Sequence, residues 1–295
     1  MFSVIVPTYN RPRQLERCLR ALDGQTGLTS PYEVIVVNDG GDREMFEETI
    51  GALGLRQPVR AITQRNTGPA GARNHGARVA GGRYLAFIDD DCAAAPEWLA
   101  SLARVFEAHP EAALGGATIN ALGANMYSEA SQLLTQYLNA YYNRDPEDCV
   151  FFTSNNLAVP AAAFREMGGF DTNYPLAAAE DREFCSHWRY LGRRLVYAPQ
   201  AAVHHYHNLS LRSFIRQHYH YGRGARRFHF SRAARGQRRP RIEPVSFYWG
   251  MMGWARRFHR GRRGWWLSAL IALTQVAHTA GFVVEVIATS GRKQA

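Results

Sequence analysis

Three adjacent carboxylates, Asp89-Asp90-Asp91, close the apolar run that begins at Arg83. Like charges this close repel, so a fold that keeps them together needs a compensating cation. A hard divalent ion, Mg²⁺ or Mn²⁺, is the usual one, leaving its remaining positions to phosphates and water. Asp89 and Asp91 point the same way from an extended backbone and can converge on one ion. The same residues also suit a solvated turn and helix cap ahead of Pro96-Glu97-Trp98. A second acidic pair, Glu180-Asp181, opens a helical stretch at 180–191. A positioned carboxylate there can take a proton from an attacking hydroxyl, and a like charge beside it raises its proton affinity. The plainer reading is that Glu180, Asp181 and Glu183 favour the positive end of a helix dipole. Asp39 ends a third candidate run, where an acid can accept from a ribose hydroxyl or a base N–H, or simply form the turn into Gly40-Gly41.

Elements must exist to hold these groups. FSVIVP (2–7), YEVIVVN (32–38), VRAIT (59–63) and RYLAFID (83–89) read as buried strands, separated by helical patterns at Gln14–Leu22, Glu44–Leu53, Ala70–Ala80 and Glu97–Ala108. Near-continuous apolar strands alternating with helices predict an α/β fold, a mostly parallel sheet with helices on both faces. Ligands bind such sheets at the carboxyl ends of the strands, and here those ends carry Thr8-Tyr9-Asn10, Asn38-Asp39, Gln64-Arg65-Asn66 and the three aspartates. Beyond 110 the pattern is mixed. ALGGATI and FFTSNNLAV read as strand-like, 126–142 as a helix, and RLVYA (194–198) as a strand.

Charge divides the chain unevenly. Residues 1–204 carry 18 Arg against 23 acids, a net of −5, whereas 205–264 carry 15 Arg and a single acid, Glu243, a net of +14. Such a block marks a face for anionic partners. Next to it, 265–290 is apolar and long enough as a helix to reach across a bilayer core of about 30 Å. Plotted at about 100° per residue, Ser268, Thr274, Gln275, His278, Thr279, Glu285 and Thr289 gather on one side, though Leu267 and Ile271 share it. The expectation is an interfacial or protein-packed helix rather than a span. Four scattered cysteines without CxxC spacing predict reduced thiols. The start, with Met1 running straight into a strand, shows no signal sequence, so a cytoplasmic location is expected, peripheral to the inner face of the membrane.

The segments VIVPTYNR (4–11), EVIVVNDGG (33–41), RNTGPAGARNHG (65–76), LAFIDDDC (85–92), GGFD (168–171) and AEDREF (179–184) together resemble family-2 glycosyltransferases of the GT-A fold, over about residues 1–210. The resemblance implies a GT-A domain at 1–210, with a nucleotide-sugar-binding half (1–110) and an acceptor half (111–210). A basic, amphipathic, membrane-associating extension follows at 211–295. It implies inverting, non-processive transfer of one sugar from a nucleotide diphosphate donor to a glycan or lipid-linked acceptor, UDP being the commonest donor base and GDP or dTDP alternatives. Carried over residue by residue, it places Thr8, Tyr9 and Asp39 on the nucleoside and Arg73 on the base or phosphates. Asp89 and Asp90 would lie at the diphosphate, Asp89 and Asp91 on the metal, and Asp181 as base with Glu180 beside it. It also brings a metal-ligating His at the end of the strand after RLVYA, where V-x-H spacing favours His205 over His204 and His207. The QxxRW motif of processive members is absent, since His187-Trp188-Arg189-Tyr190 lacks the leading Gln. A nucleotidyltransferase would want a Gly-rich cationic loop after the first strand, and the chain's one lysine is Lys293. The same scarcity excludes a P-loop. A non-catalytic RNA- or lipid-binding module would leave the ordered acids unexplained, and no nucleic-acid motif is present.

Overall fold

A computed structural model describes residues 1–174, 178–237 and 243–291. The first half alternates as expected: β1 (Phe2–Thr8), α1 (Pro12–Asp23), β2 (Tyr32–Asp39), α2 (Arg43–Gly51), β3 (Val59–Gln64), α3 (Gly68–Val79) and β4 (Tyr84–Ile88). There follow β5 (Cys92–Ala94), α4 (Trp98–Ala108), β6 (Ala113–Asn120), α5 (Met126–Tyr142), β7 (Asn156–Pro160), α6 (Ala161–Met167), α7 (Glu180–Tyr190) and β8 (Leu195–His205). The chain then becomes helical: α8 (Leu211–Ala234), α9 (Val245–Phe258) and α10 (Gly261–Gly291).

One eight-stranded sheet runs β3-β2-β1-β4-β7-β6-β8-β5. β1 through β4 pair in parallel, as do β6 and β8. β7 runs antiparallel to both β4 and β6, and β5 antiparallel to β8. The antiparallel pairs thus fall in the second half, where the expected strand at 151–159 narrows to β7. Period-2 alternation splits the strand side chains between two cores. Val4, Val6, Val34 and Val36 pack with Leu15, Phe46 and Trp98 of α1, α2 and α4. Ile5, Ile35 and Val37 pack on the other face with Ala72, Phe164 and Trp188 of α3, α6 and α7. All four cysteines are buried free thiols.

A third core crosses residue 210. Leu133 and Tyr137 of α5 pack with Phe214, Met251, Leu267 and Ile271 of α8, α9 and α10. The Tyr137 hydroxyl donates to the Phe247 carbonyl (2.6 Å), and His259 meets Glu129 at 2.7 Å. α10 is amphipathic in an unexpected sense. The side that gathers its polar residues faces the protein: Thr274 is 1% and Glu285 2% exposed. Glu285 accepts from Arg223 (2.8 Å) and Arg227 (2.9 Å) of α8. Leu267 and Ile271 share that side because it is the packed one. The opposite side exposes Trp265, Trp266, Val276, Val283, Val284 and Ile287, with Trp266 at 65% and Ile287 at 67%.

Candidate active site

Parallel β1, β2 and β3 end together, so Thr8, Asp39 and Gln64 share one edge. Asp39 is buried there, and its carboxylate organises the next turn. Oδ1 accepts from the Thr67 N–H (2.9 Å) and the Gln64 amide (2.8 Å), and Oδ2 from the Gly68 N–H (2.9 Å). An acid at the amino end of α3 also suits the helix dipole. Tyr9 is exposed beside it, and Asn10 turns the chain with φ 52°, a conformation asparagine tolerates.

The three aspartates diverge. Asp90 turns inward, accepting from the Thr8 hydroxyl (2.7 Å) and Arg11 (3.2 Å). Thr8 and Asp90, both expected at the donor, are here bonded to each other and tie β1 to β4. Burial, then the neighbouring Asp91 and Asp89, raises the Asp90 pKa to about 6 against the pull of Arg11 and Thr8. Asp91 faces β8. Because Cys92 and His205 are register partners in the β5–β8 ladder, the aspartate turn is placed beside the end of β8. The His205 Nε2 lies 3.3 Å from Asp91 Oδ1. Burial works against the Asp91 charge, but the hydrogen bond and charge of His205, with Arg11, prevail and lower its pKa to about 2. His205 is raised in turn: desolvation lowers it, and Asp91 outweighs that. The His207 ring stacks on His205 with centroids 4.8 Å apart, and burial and the His205 charge lower it to about 4. His204 is exposed and pairs with Ala93. Ligand atoms of Asp91, Cys92 and His205 lie within 4.8 Å of one another. A carboxylate with an imidazole fits a divalent ion of the Mn²⁺ kind more readily than Mg²⁺, which prefers oxygen. The Cys92 thiol is pushed well up by burial and nearby acids, so it stays protonated and is a poor ligand.

Asp89 turns to Arg73 rather than to that cluster. Arg73, 2% exposed on α3, donates from Nη2 to Asp89 (2.6 Å) and from Nη1 to Glu180 (3.2 Å). Expected on the base or phosphates, it bridges two carboxylates in this structure, and among the described residues its Nε is buried without a partner. Glu180 is raised to about 7 by burial and then by Asp181, against Arg73. Asp181 is also raised, by burial, although N–H groups of Arg182 and Ser154 oppose this. Ala179, just before the pair, has φ 72°. That left-handed backbone is costly for alanine, and such strain gathers at functional sites. Tyr221 of α8 is 39% exposed as a residue, but its hydroxyl, which accepts from Gln217 (2.8 Å), is desolvated, and this, then the charges on Asp181, Glu180 and Asp89, raises its pKa.

The structure therefore brings together Asp91 with His205, and Asp89 with Glu180 through Arg73. Arg11, Cys92 and Tyr221 were not among the residues the sequence suggested. Arg11 sits one residue past the Thr8-Tyr9-Asn10 end, a usable signal. Tyr221 lies past 210, and only the packing of α8 brings it near.

Comparisons with known proteins point one way. Residues 3–168 match the family described as Glycosyl transferase family 2. A validoxylamine A glucosyltransferase of Streptomyces hygroscopicus is 28% identical over 214 residues, 62% of this chain and 50% of that protein. A glucosyl-dolichyl phosphate glucuronosyltransferase of Haloferax volcanii is 27% identical over 218 residues, 69% of this chain and 68% of its own. The chain thus spans about half the length of the first of these relatives. A mannosyltransferase of Pyrobaculum calidifontis, solved in complex with GDP-Man and Mn²⁺, superposes with a TM-score of 0.62 at 18% identity, covering 99% of this chain and 79% of the other. S. aureus TarS 1–349, solved with UDP, superposes at 0.54 and 19% identity, covering 98% and 91%. At such identities the structural likeness speaks for the fold.

Proposed function

This chain belongs to glycosyl transferase family 2, and from that premise we propose that it moves one sugar from a nucleoside diphosphate donor to an acceptor hydroxyl, with inversion. The observation that carries this reading is the Asp89–Arg73–Glu180 bridge. It couples the aspartate edge, beside which Asp91 and His205 meet, to the helix that begins with Glu180 and Asp181. The nucleotides in the neighbours' complexes support a nucleotide-sugar donor, UDP being the first to test, then GDP and dTDP. The Haloferax relative supports a glycan or lipid-linked acceptor.

In this reading Asp91 and His205 hold a divalent ion, and the chemistry such an ion supplies is neutralisation of charge on a departing diphosphate. Asp39 orders the loop on which the nucleoside rests, with Tyr9 exposed beside it. Asp181 accepts the proton of the acceptor hydroxyl as attack proceeds. Its partner Glu180, near neutrality, lets the pair keep one proton between them, so the base is not lost to repulsion. Direct attack from the face opposite the leaving group inverts the anomeric carbon, which NMR of the product reads.

We place the enzyme on a membrane surface, through the outward apolar side of α10. Gly261–Thr289 contains an 18-residue window of mean hydropathy 1.6 and is long enough to cross a bilayer. However, α10 is packed along the Arg-rich α8, whose Arg212 and Arg216 would have to enter with it. That cost favours a helix lying in the interface. Buried free thiols support a reducing, cytoplasmic side.

The test is a melting-temperature screen of UDP, GDP and dTDP with and without Mn²⁺. A ligand at a hundred times its Kd stabilises by about 2.7 kcal/mol. One nucleotide should raise the melting temperature with Mn²⁺ and lose that effect in EDTA. No shift with any nucleotide and metal would sink the proposal.

A further inference from the structure

The apolar outer side of α10 continues into a concavity. α8 and α10 touch backbone to backbone where Gly222 meets the His278 carbonyl and Gly281 meets the Tyr219 carbonyl; a Cβ at either glycine would collide. Toward the amino end of α8, beyond that contact, the two helices leave an open groove of about 790 Å³. Leu211 and Ile215 line one wall and Leu273 and Val276 the other, and the surface they present is almost wholly carbon. Arg212 and Arg216, one helical turn apart, stand on the α8 wall. Among the described residues neither is in an ion pair, and no acid lines the groove. The groove is continuous with the exposed apolar side of α10, and a contiguous apolar surface of that extent marks an interaction site. Arg212 and Arg216, exposed and lining the groove with their apolar stems, supply charge suited to a phosphate.

We infer that this groove seats one hydrocarbon chain of a phosphate-headed membrane lipid, the chain lying between α8 and α10 and the phosphate meeting Arg212 and Arg216. This rests on the membrane-surface reading above and adds a discrete site to it. Val276 belongs both to the exposed side of α10 and to the groove, so the groove opens at the level where that side meets a bilayer. Hydrocarbon is the partner available at that depth. An extended peptide would bring backbone N–H and C=O groups that these carbon walls cannot satisfy. Lying on α8, whose Gly224 rests on the Ala178 carbonyl just ahead of Glu180, the groove places a lipid on an element packed against the acidic pair.

The test uses the full chain and decyl phosphate below its micelle concentration, followed by titration calorimetry, with decanol and inorganic phosphate as separate arms. We expect saturable binding of one decyl phosphate, weaker binding of decanol and none of inorganic phosphate. Ala280→Trp, a change at an exposed groove position, should weaken decyl phosphate at least tenfold. Val276→Gln serves as a second groove variant. Arg212→Gln with Arg216→Gln should reduce decyl phosphate to the level of decanol. Non-saturable binding, binding indifferent to both groove variants, or full competition by inorganic phosphate would each overturn the inference. The Mn²⁺-dependent nucleotide shift is measured on the same samples. Its presence without lipid binding defeats the groove alone, and its absence from every sample defeats the catalytic reading.

Discussion

α1 and α10 are both amphipathic helices, and they are inserted in opposite senses. α1 buries Leu15, Cys18, Leu19 and Leu22 against the sheet and shows its charges to water. α10 buries Thr274 and Glu285 and shows Trp266, Val276 and Ile287. Burying about 25 cal/mol per Å² of apolar surface explains the first arrangement. The second is stable in water only because Glu285 is neutralised by two arginines and Leu267 and Ile271 still pack. The difference teaches that the amino-terminal part is finished as a globule, whereas the carboxyl-terminal part leaves an apolar face uncovered.

Variants can separate the two regions. The largest effect is expected at Asp181→Asn, which removes the proposed proton acceptor and should lower kcat by about 10²–10⁴. Its nucleotide melting shift and vesicle binding should be unchanged. A variant with near-normal kcat would transfer the role to Glu180 or Glu183. Next, Asp91→Asn should weaken Mn²⁺-dependent nucleotide binding by at least the roughly 10–100-fold that loss of an outer-sphere partner costs, again with vesicle binding intact. In the other region, Ile287→Ser should lower partition onto phosphatidylcholine–phosphatidylglycerol vesicles by about tenfold, a loss of about 1.4 kcal/mol, without altering the nucleotide shift. If it alters the shift and spares the vesicles, the comparison is wrong. The smallest effect concerns pH. Glu180 is raised from 4.5 to about 7 in the fold, so the folded state binds the extra proton and stability falls as pH rises through that window. In EDTA the melting temperature should decline across it, and Glu180→Gln should flatten the decline. An equal slope in both proteins would show that Glu180 does not titrate there.

Much of the candidate site was legible because it lies at strand ends. A run such as FSVIVP announces a buried strand, and the parallel rule then assigns its last residue to the ligand side. What the spacing could not carry was the direction in which each carboxylate turns. Asp89, Asp90 and Asp91 are consecutive, yet one meets Arg73, one Thr8 and one His205. Arg73 and Glu180 are 107 residues apart, and no local pattern joins them. That His205 rather than His204 lies beside Asp91 needed the β5–β8 register. Apolar runs also do not state strand direction, so the antiparallel β7 stayed hidden behind the expectation of a mostly parallel sheet. For α10, periodicity separated two sides but could not say which one faced the protein.

Gly222 and Gly224 are about 200° apart around α8. The first rests on the His278 carbonyl of α10 and the second on the carbonyl of Ala178, just ahead of Glu180. With no side chain on either side, α8 has no compliant layer and acts as a shim between α10 and the start of α7. If α10 lies on a bilayer as proposed, thrust on it would pass stiffly through these two contacts to the left-handed Ala179 and the acidic pair beyond it, so the depth of the helix would set the gap at Glu180 and Asp181. Turnover should accordingly respond to bilayer thickness, and Gly224→Ala, which thickens the shim by one methyl, should change that response.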